Sequence, residues 1–157
     1  MDTAEALARE LNRSDTNQCF ACGPGNAHGL HLRFDMDADG VVRTRFTAED
    51  WQAGWENVIH GGIVATLLDE SMAYTLHFRG WKAVTARMEV RFRLPVRRGD
   101  SLELEARIVK ETSRIADIEA RAMRNGETVA ESTGRFMKLG RLEEEAEEAA
   151  YRVETRR

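Results

Sequence analysis

Hydrophobic and polar residues alternate along several segments of the chain, which is the pattern of β-strands with one buried face. Residues 30–36 and 41–47 alternate in this way on either side of a DADG turn and predict a hairpin. Four more alternating segments lie in the second half of the chain: ARMEVRFRL, SLELEARIV, RIADIEARAM and TVAESTGRFMKL. Asn125-Gly126, between the last two, is typical of a tight hairpin turn. The pattern predicts an antiparallel sheet of about six strands whose inner face includes Met88, Val90, Phe92 and Leu94.

One long helix is predicted between the first hairpin and the later strands, at residues 60–78. Its sequence, HGGIVATLLDESMAYTLHF, is apolar on nearly every side, which indicates a buried helix. We expect one face to pack against the concave side of a curved sheet through Val64, Leu67, Ser71, Tyr74 and Phe78. The opposite face consists of Gly62, Ala65, Thr66, Asp69, Met72, Ala73 and Leu76. Many of these residues are small, so we infer that a second copy of the chain covers this face.

The chain is predicted to fold as one α+β domain with short additions at both ends. A length of 157 residues with 42% apolar residues is sufficient for a single core. Residues 3–12 predict a short helix and residues 15–28 an ordered loop, so residues 1–18 lead into a domain at 19–139. Residues 140–157 are highly charged and predict a solvated C-terminal helix.

Charge and composition exclude several classes of protein. The formal net charge of −4 gives no general attraction to nucleic acid. No apolar run reaches the roughly 18 residues of a membrane span, and the acidic, amphipathic N-terminus does not resemble a signal peptide. Only Cys19 and Cys22 are present, too few and too close together for a disulfide framework. We therefore expect a cytoplasmic protein without nucleic-acid or membrane partners.

Asp69 lies in the middle of the predicted buried helix. An ionised carboxylate in such a place costs on the order of several kcal/mol unless it is paired, hydrogen-bonded or hydrated. One interpretation is that Asp69 caps or pairs with a local group, with Glu70 as its more exposed neighbour. The other is a general base or nucleophile in a cleft, where desolvation tunes the basicity of the carboxylate.

His60-Gly61-Gly62 stands where a loop enters this helix. The two glycines allow a ligand to approach free amides at the positive end of the helix dipole, where a developing oxyanion is stabilised. Gly62 and Asp69 share a face but lie about 10 Å apart along the axis at 1.5 Å per residue. One helix therefore cannot supply both groups to one bond. Two antiparallel helices in a two-fold dimer can do so, with two composite sites.

The segments HGGIVATLLDE and CFACGPGNAHGLHLRF resemble the hotdog-fold acyl-CoA thioesterases of the phenylacetate-degradation (PaaI-like) type. The resemblance extends from about Cys19 to Met137. It implies a long central helix wrapped by an antiparallel sheet, a homodimer or a dimer of dimers, and hydrolysis of an acyl-CoA thioester. Relatives often carry an amide side chain six or seven positions before the histidine, where this chain has Gly54 and Ala53.

Carried over by position, the resemblance implies a role for each residue of the motif. Asp69 would activate water or attack directly, and the Gly62 amide, helped by Gly61, would polarise the thioester carbonyl. His60 would shape the pocket, and Thr85 would orient the water. The predicted substrate-binding residues are Asn57, Glu70, Arg91 and Arg93, and the two arginines are candidates for the CoA phosphates.

The sequence allows a second functional hypothesis and a second interpretation of the N-terminal loop. A non-catalytic acyl-CoA binding or sensing module on the same fold is the second functional hypothesis, because the upstream amide is missing. Cys19, Cys22, His28 and His31 form a C-x2-C-x5-H-x2-H pattern that suggests zinc, but the spacing between the pairs is much shorter than in a zinc finger. An ordinary loop is the favoured interpretation there, and no metal or cofactor is expected.

Overall fold

The computed structural model describes residues 3–143. Two helices and eight strands are present in this part of the chain, with a short 3-10 turn at Asp50–Gln52. In chain order they are α1 (Thr3–Arg13), β1 (Asp35–Met36), β2 (Val42–Thr47), β3 (Ala53–Trp55), β4 (Val58–Ile59), α2 (Gly61–His77), β5 (Trp81–Phe92), β6 (Ser101–Glu111), β7 (Ile115–Arg124) and β8 (Glu127–Arg141).

Six of the strands form one antiparallel sheet in the order β1-β2-β6-β7-β8-β5, and β3 pairs with β4 in a separate small ribbon. Helix α2 packs across the sheet and contacts β2, β5, β6, β7 and β8. This is the predicted hotdog architecture, with one long helix held by a curved six-stranded sheet. Because the order ends on β5, that twelve-residue strand is an edge of the sheet. Neither helix in the described residues is both long and apolar enough to cross a membrane.

The predicted tight turn joins β7 to β8. Asn125 and Gly126 have φ angles of 52° and 80°, both in the left-handed region. Two consecutive residues with positive φ match the right-handed twist of the flanking strands, which explains the Asn-Gly pair. The prediction for this hairpin is confirmed.

The first predicted hairpin is shorter than its sequence pattern indicates. Only Asp35–Met36 pairs with β2, although Leu32 and Phe34 are buried and Arg33 between them is exposed. Residues before Asp35 are held by the preceding loop instead, since the Leu30 and Leu32 amides donate to the carbonyls of Phe20 and Ala21. The alternation correctly identified the buried face, but the partner of this segment is a loop rather than a strand.

A bulge in β5 changes which residues face the helix. Thr85 pairs with Phe136 and Arg87 with Arg135, so Ala86 is the extra residue. The bulge brings both Thr85 and Met88 to the inner face, which strict alternation forbids. Phe92 was predicted to lie in the core. That prediction is wrong, because the Phe92 side chain is 57% exposed.

The two faces of α2 differ in burial. The face predicted to meet the sheet is buried at Val64, Leu67, Ser71, Tyr74 and Phe78. On the opposite face Met72 and Leu76 are also buried, and Met72 packs against β8 where Gly134 leaves no room for a side chain. The rest of that face is exposed at Gly62 and half-buried elsewhere, at Ala65, Thr66, Asp69 and Ala73.

The predicted ends of the domain agree only in part with the structure. Helix α1 is present with the expected start and extends to Arg13. Gly140 and Arg141, which were assigned to the C-terminal helical tail, are the last two residues of β8 and pair with β5. The strand continues because Lys82 and Trp81 offer it a partner on the neighbouring strand. The rest of the predicted tail from residue 144 lies outside the described residues.

Candidate active site

The start of α2 is capped by its own histidine. The Gly62 amide donates to His60 Nδ1 at 2.8 Å, and the Ile63 amide donates to the His60 carbonyl at 2.9 Å. Within residues 3–143 the Gly61 amide has no acceptor. Gly61 and Gly62 are both exposed. The helix therefore begins with one open donor at the positive end of its dipole and a second donor held by an imidazole.

The β3–β4 ribbon positions His60. The His60 amide donates to the Gln52 carbonyl at 2.8 Å. A Cβ added to Gly54 would lie 2.8 Å from His60 Cα, so the two backbones meet directly. An amide side chain of the kind found in relatives has no space at this position. Gln52, a possible substitute, is buried and uses its side-chain oxygen to accept from the Glu49 amide at 2.8 Å.

Replacing Gly54 with Ala is expected to destabilise the protein by about 1–3 kcal/mol, because the new methyl overlaps the His60 backbone. Urea unfolding measures the change. Gly61→Ala is the matched control, since its added Cβ would contact only the Phe92 ring, at 3.5 Å. Equal stability of the Gly54→Ala variant and the native protein would contradict the close approach of the two backbones.

Asp69 is held by the edge strand. The Thr85 hydroxyl donates to Asp69 Oδ1 at 2.7 Å, across the gap between α2 and β5. The bulge at Ala86 makes this contact possible by directing Thr85 inward. No ion pair involves Asp69 in the part of the chain that the structure describes, so the local salt bridge considered above is absent there. One carboxylate oxygen is thus oriented by the protein, on a half-buried face of the helix.

Glu70 faces a different part of the molecule from Asp69. Cys19 Sγ lies 3.6 Å from Glu70 Oε1, and Glu70 lines a cavity of about 490 Å³ together with Cys22, Tyr74 and Trp81. Burial raises the pKa of the Glu70 carboxyl to about 7, and the charge of Cys19 adds to the effect. The interpretation of Glu70 as merely the more exposed neighbour of Asp69 is therefore wrong.

Hydrogen bonds shift the pKa values of the two thiols beside Glu70. The Cys22 thiol and the amides of Cys22 and Ala21 donate to the Cys19 sulfur and lower the pKa of Cys19. Donation of its hydrogen bond to Cys19, followed by burial, raises the pKa of Cys22. Burial also raises the pKa of the Tyr74 hydroxyl next to them. His28 and His31, the other members of the suggested zinc pattern, are exposed, and His31 Nε2 lies 2.6 Å from the Asn26 carbonyl.

The other predicted substrate-binding residues lie on the surface. Asn57 Oδ1 accepts from Arg98 Nε at 2.7 Å, which ties Asn57 to the turn before β6. Arg91 and Arg93 contact Glu89 and Glu131 at 3.4 and 2.5 Å on the outer side of the sheet. All three side chains are engaged by neighbouring protein groups, and their role in binding stays a prediction.

The Phe92 ring, near the start of α2, was not assigned to the site from sequence. Phe92 lies beside Gly61, where an added Cβ would be 3.5 Å from the ring. Trp55, in the ribbon that holds His60, is 77% exposed. The alternation of hydrophobic and polar residues in β5 gave no sign that Phe92 leaves the core. Both rings add exposed apolar surface around the helix start.

Comparison with known proteins agrees with this architecture. The model of the thioesterase superfamily matches residues 56–131, which include His60, Asp69 and Thr85. No curated protein sequence gives a significant match.

Solved structures with the same fold include proteins that contain coenzyme A. The Escherichia coli PaaI protein from the phenylacetic acid degradation operon is 21% identical, with 71% of this chain and 82% of that chain covered and a TM-score of 0.67. The Bacillus halodurans BH2602 protein, solved with CoA, is 30% identical over 71% and 76% of the two chains, with a TM-score of 0.63. The Streptococcus mutans smu.793 protein, bound to acetyl CoA, is 22% identical over 69% and 90%, with a TM-score of 0.64. The chain therefore belongs to the thioesterase superfamily of thioester hydrolases and has its hotdog fold.

Proposed function

We propose that the protein hydrolyses an acyl-CoA thioester to the free acid and CoA, in composite sites formed by two subunits. Family membership supports the reaction class. The CoA and acetyl CoA in the Bacillus halodurans and Streptococcus mutans structures support CoA as the carrier. These observations favour the enzyme over the non-catalytic binding module. The observation that carries the site assignment is the Thr85 bond to Asp69 on the incompletely covered face of α2.

Asp69 is proposed as the base. Thr85 occupies Oδ1, which leaves Oδ2 to accept a hydrogen bond from water. In the reaction the carboxylate takes a proton from that water while the oxygen attacks the thioester carbon. The tetrahedral intermediate then expels the CoA thiolate, which takes up the proton. Direct attack by Asp69 through a mixed anhydride gives the same products, and label in Asp69 after a single turnover in ¹⁸O-water would identify an anhydride that water opens at the Asp69 carbon.

The amides at the start of α2 are proposed to hold the carbonyl oxygen. Gly61 offers an N–H with no acceptor in the described chain, while the Gly62 N–H is held by His60. We therefore propose that Gly61 rather than Gly62 is the leading donor, and that rotation of the His60 ring would release the second donor. Charge that develops on the oxygen also gains from the helix dipole.

A two-fold dimer is proposed to complete each site. Asp69 lies about 10 Å from Gly62 of the same helix, so it cannot serve the carbonyl bound there. Strand β5 is an edge with exposed apolar residues at Val84 and Phe92, and Met137 on β8 continues the apolar surface. Long unpaired edges with apolar side chains are typical sites of strand pairing between chains. Pairing of β5 with its symmetry copy would bring two α2 helices together in opposite directions.

Two arginines are proposed to bind the phosphates of CoA. Arg91 and Arg93 offer guanidinium groups to the CoA phosphates, provided that these groups exchange their present glutamate partners.

Cys19 and Cys22 are both free thiols, as expected for a reducing compartment, and we place the protein in the cytoplasm.

Replacing Gly61 with Pro tests the role of its amide. Proline removes the N–H yet suits the first helical position, and His60 already has the extended ψ of 132° that a following proline requires. We expect kcat to fall by on the order of 10²-fold, as for loss of one oxyanion donor. The assay follows release of CoA thiol from a panel of aromatic, short-chain and medium-chain acyl-CoA thioesters.

Gly61→Ala is the matched control for this substitution. It adds carbon at the same place but keeps the amide, so we expect kcat within about threefold of the native value. Equal loss in the Ala and Pro variants would assign the effect to crowding against Phe92 and remove Gly61 from the mechanism. Native protein that cleaves no thioester of the panel would contradict the proposed function itself.

A further inference from the structure

Three potential metal-ligand atoms meet between the N-terminal loop and the middle of α2. The sulfur atoms of Cys19 and Cys22 and a carboxylate oxygen of Glu70 all lie within 4.8 Å of one another. Cys19 Sγ and Glu70 Oε1 are 3.6 Å apart. Cys22 is buried, and the other two side chains are half-buried. Residues 51 positions apart in the chain thus direct their polar atoms to one point.

The loop holds the two sulfurs in place. The Gly23 amide donates to the Cys19 carbonyl at 2.8 Å and closes the turn between the cysteines. A side chain at Gly23 is excluded, since its Cβ would lie 2.4 Å from the Asn17 carbonyl and from the Cys19 nitrogen. Asn17 also accepts from the Cys19 amide at 3.0 Å and directs its Nδ2 to Cys22 Sγ at 3.7 Å. The sulfur positions are therefore set before any ligand arrives.

One of the three donor separations matches that of a tetrahedral ion, and all three lie within 4.8 Å. Zinc bonds of about 2.3 Å to sulfur and 2.0–2.2 Å to oxygen place neighbouring donors roughly 3.4–3.8 Å apart. The observed separation of Cys19 Sγ and Glu70 Oε1 falls in this range. The 490 Å³ cavity lined by Cys22 and Glu70 provides an entry path and space for a water as fourth ligand. Two thiolates and one carboxylate carry three negative charges, of which a dication offsets two.

We infer that Cys19, Cys22 and Glu70 form a binding site for a divalent transition-metal ion, of which zinc matches the ligands best. The inference replaces the two histidines of the sequence pattern with a glutamate that only the fold brings near, and it reverses the expectation that no metal binds. It extends beyond thioester hydrolysis. A bound ion would link the N-terminal loop to α2 one residue from Asp69.

Cobalt titration of the full-length, reduced protein tests the site directly. After thiol counting confirms two free cysteines, Co²⁺ is added under argon. We expect a thiolate-to-cobalt charge-transfer band and the visible bands of tetrahedral Co²⁺ at one ion per chain. Zn²⁺ should displace the cobalt with a Kd below about 1 µM. Absence of the thiolate band, or retention of a Cys19–Cys22 disulfide after reduction, would overturn the inference. The readout is metal binding alone, so the result is independent of whether the protein cleaves thioesters.

Substitutions identify the ligands. Cys19→Ser and Cys22→Ser should each weaken zinc binding by at least about 100-fold, and Glu70→Gln by about 10- to 100-fold. The double variant His28→Ala/His31→Ala is the matched control and should bind like the native protein. Loss of the cobalt spectrum in that control would transfer the site to the histidines, and unchanged affinity in Glu70→Gln would remove Glu70 from it. Circular dichroism of each variant verifies that the fold is retained.

Discussion

Replacing Asp69 with Asn is expected to lower kcat for acyl-CoA hydrolysis by about 10³-fold, because the amide cannot accept a proton from water. The substitution keeps the size of the side chain and an oxygen that can accept from the Thr85 hydroxyl, so the fold should be retained. KM should change little, since the lost interaction belongs to the transition state. Steady-state kinetics on the best substrate of the thioester panel measure both constants, and circular dichroism verifies the fold.

Three further variants serve to interpret this result. Asp39→Asn removes an exposed carboxylate in the turn between β1 and β2 and should leave kcat unchanged. Thr85→Val removes the hydroxyl that orients Asp69 and should lower kcat by about 10- to 100-fold, while Thr85→Ser restores most of the loss. If the Asp69→Asn protein retained more than about a tenth of the native kcat, Asp69 would be neither the base nor the nucleophile.

A heterodimer of two inactive variants is expected to recover about half of the native activity per dimer. One subunit carries Asp69→Asn and the other Gly61→Pro, with different affinity tags so that only the mixed dimer survives two purification steps. In composite sites, one site of this dimer combines the intact Asp69 with the intact Gly61, and the other combines both substitutions. Activity should therefore rise from about a hundredth or less in either homodimer to roughly a half.

The alternative arrangement gives a different number. If each subunit used its own Asp69 and its own helix start, both sites of the mixed dimer would carry one defect, and activity would stay at the level of the homodimers. A dimer of the native chain with Asp69→Asn should show about half activity under either arrangement, so it verifies assembly and assay. Sedimentation of the untagged native protein as a monomer at assay concentration would exclude composite sites altogether.

The site shows which features local sequence patterns can predict and which they cannot. The HGG motif and the spacing to Asp69 were visible because a helix has a fixed rise and period. The engagement of the Gly62 amide by His60 Nδ1 was not visible, since it depends on a side-chain rotamer at the helix cap. Likewise, the exposure of Phe92 depends on where β5 leaves the helix, which alternation along the strand does not report. Thr85 was assigned by resemblance. Its contact with Asp69 requires a bulge in β5, and no glycine or other turn residue in the sequence indicates that bulge.

The sequence by itself determined the longer strands of the sheet, β2 and β5 to β8, the Asn125-Gly126 hairpin, the central helix and the position of its acid along the axis. These features follow from the period of side chains along a helix or strand and from the φ angles that Asn and Gly tolerate. Only the tertiary structure decided that Asp69 meets Thr85 and that Glu70 meets Cys19 and Cys22. Such contacts join residues 16 and 51 positions apart, and their formation depends on how the helix, the loop and the edge strand pack together.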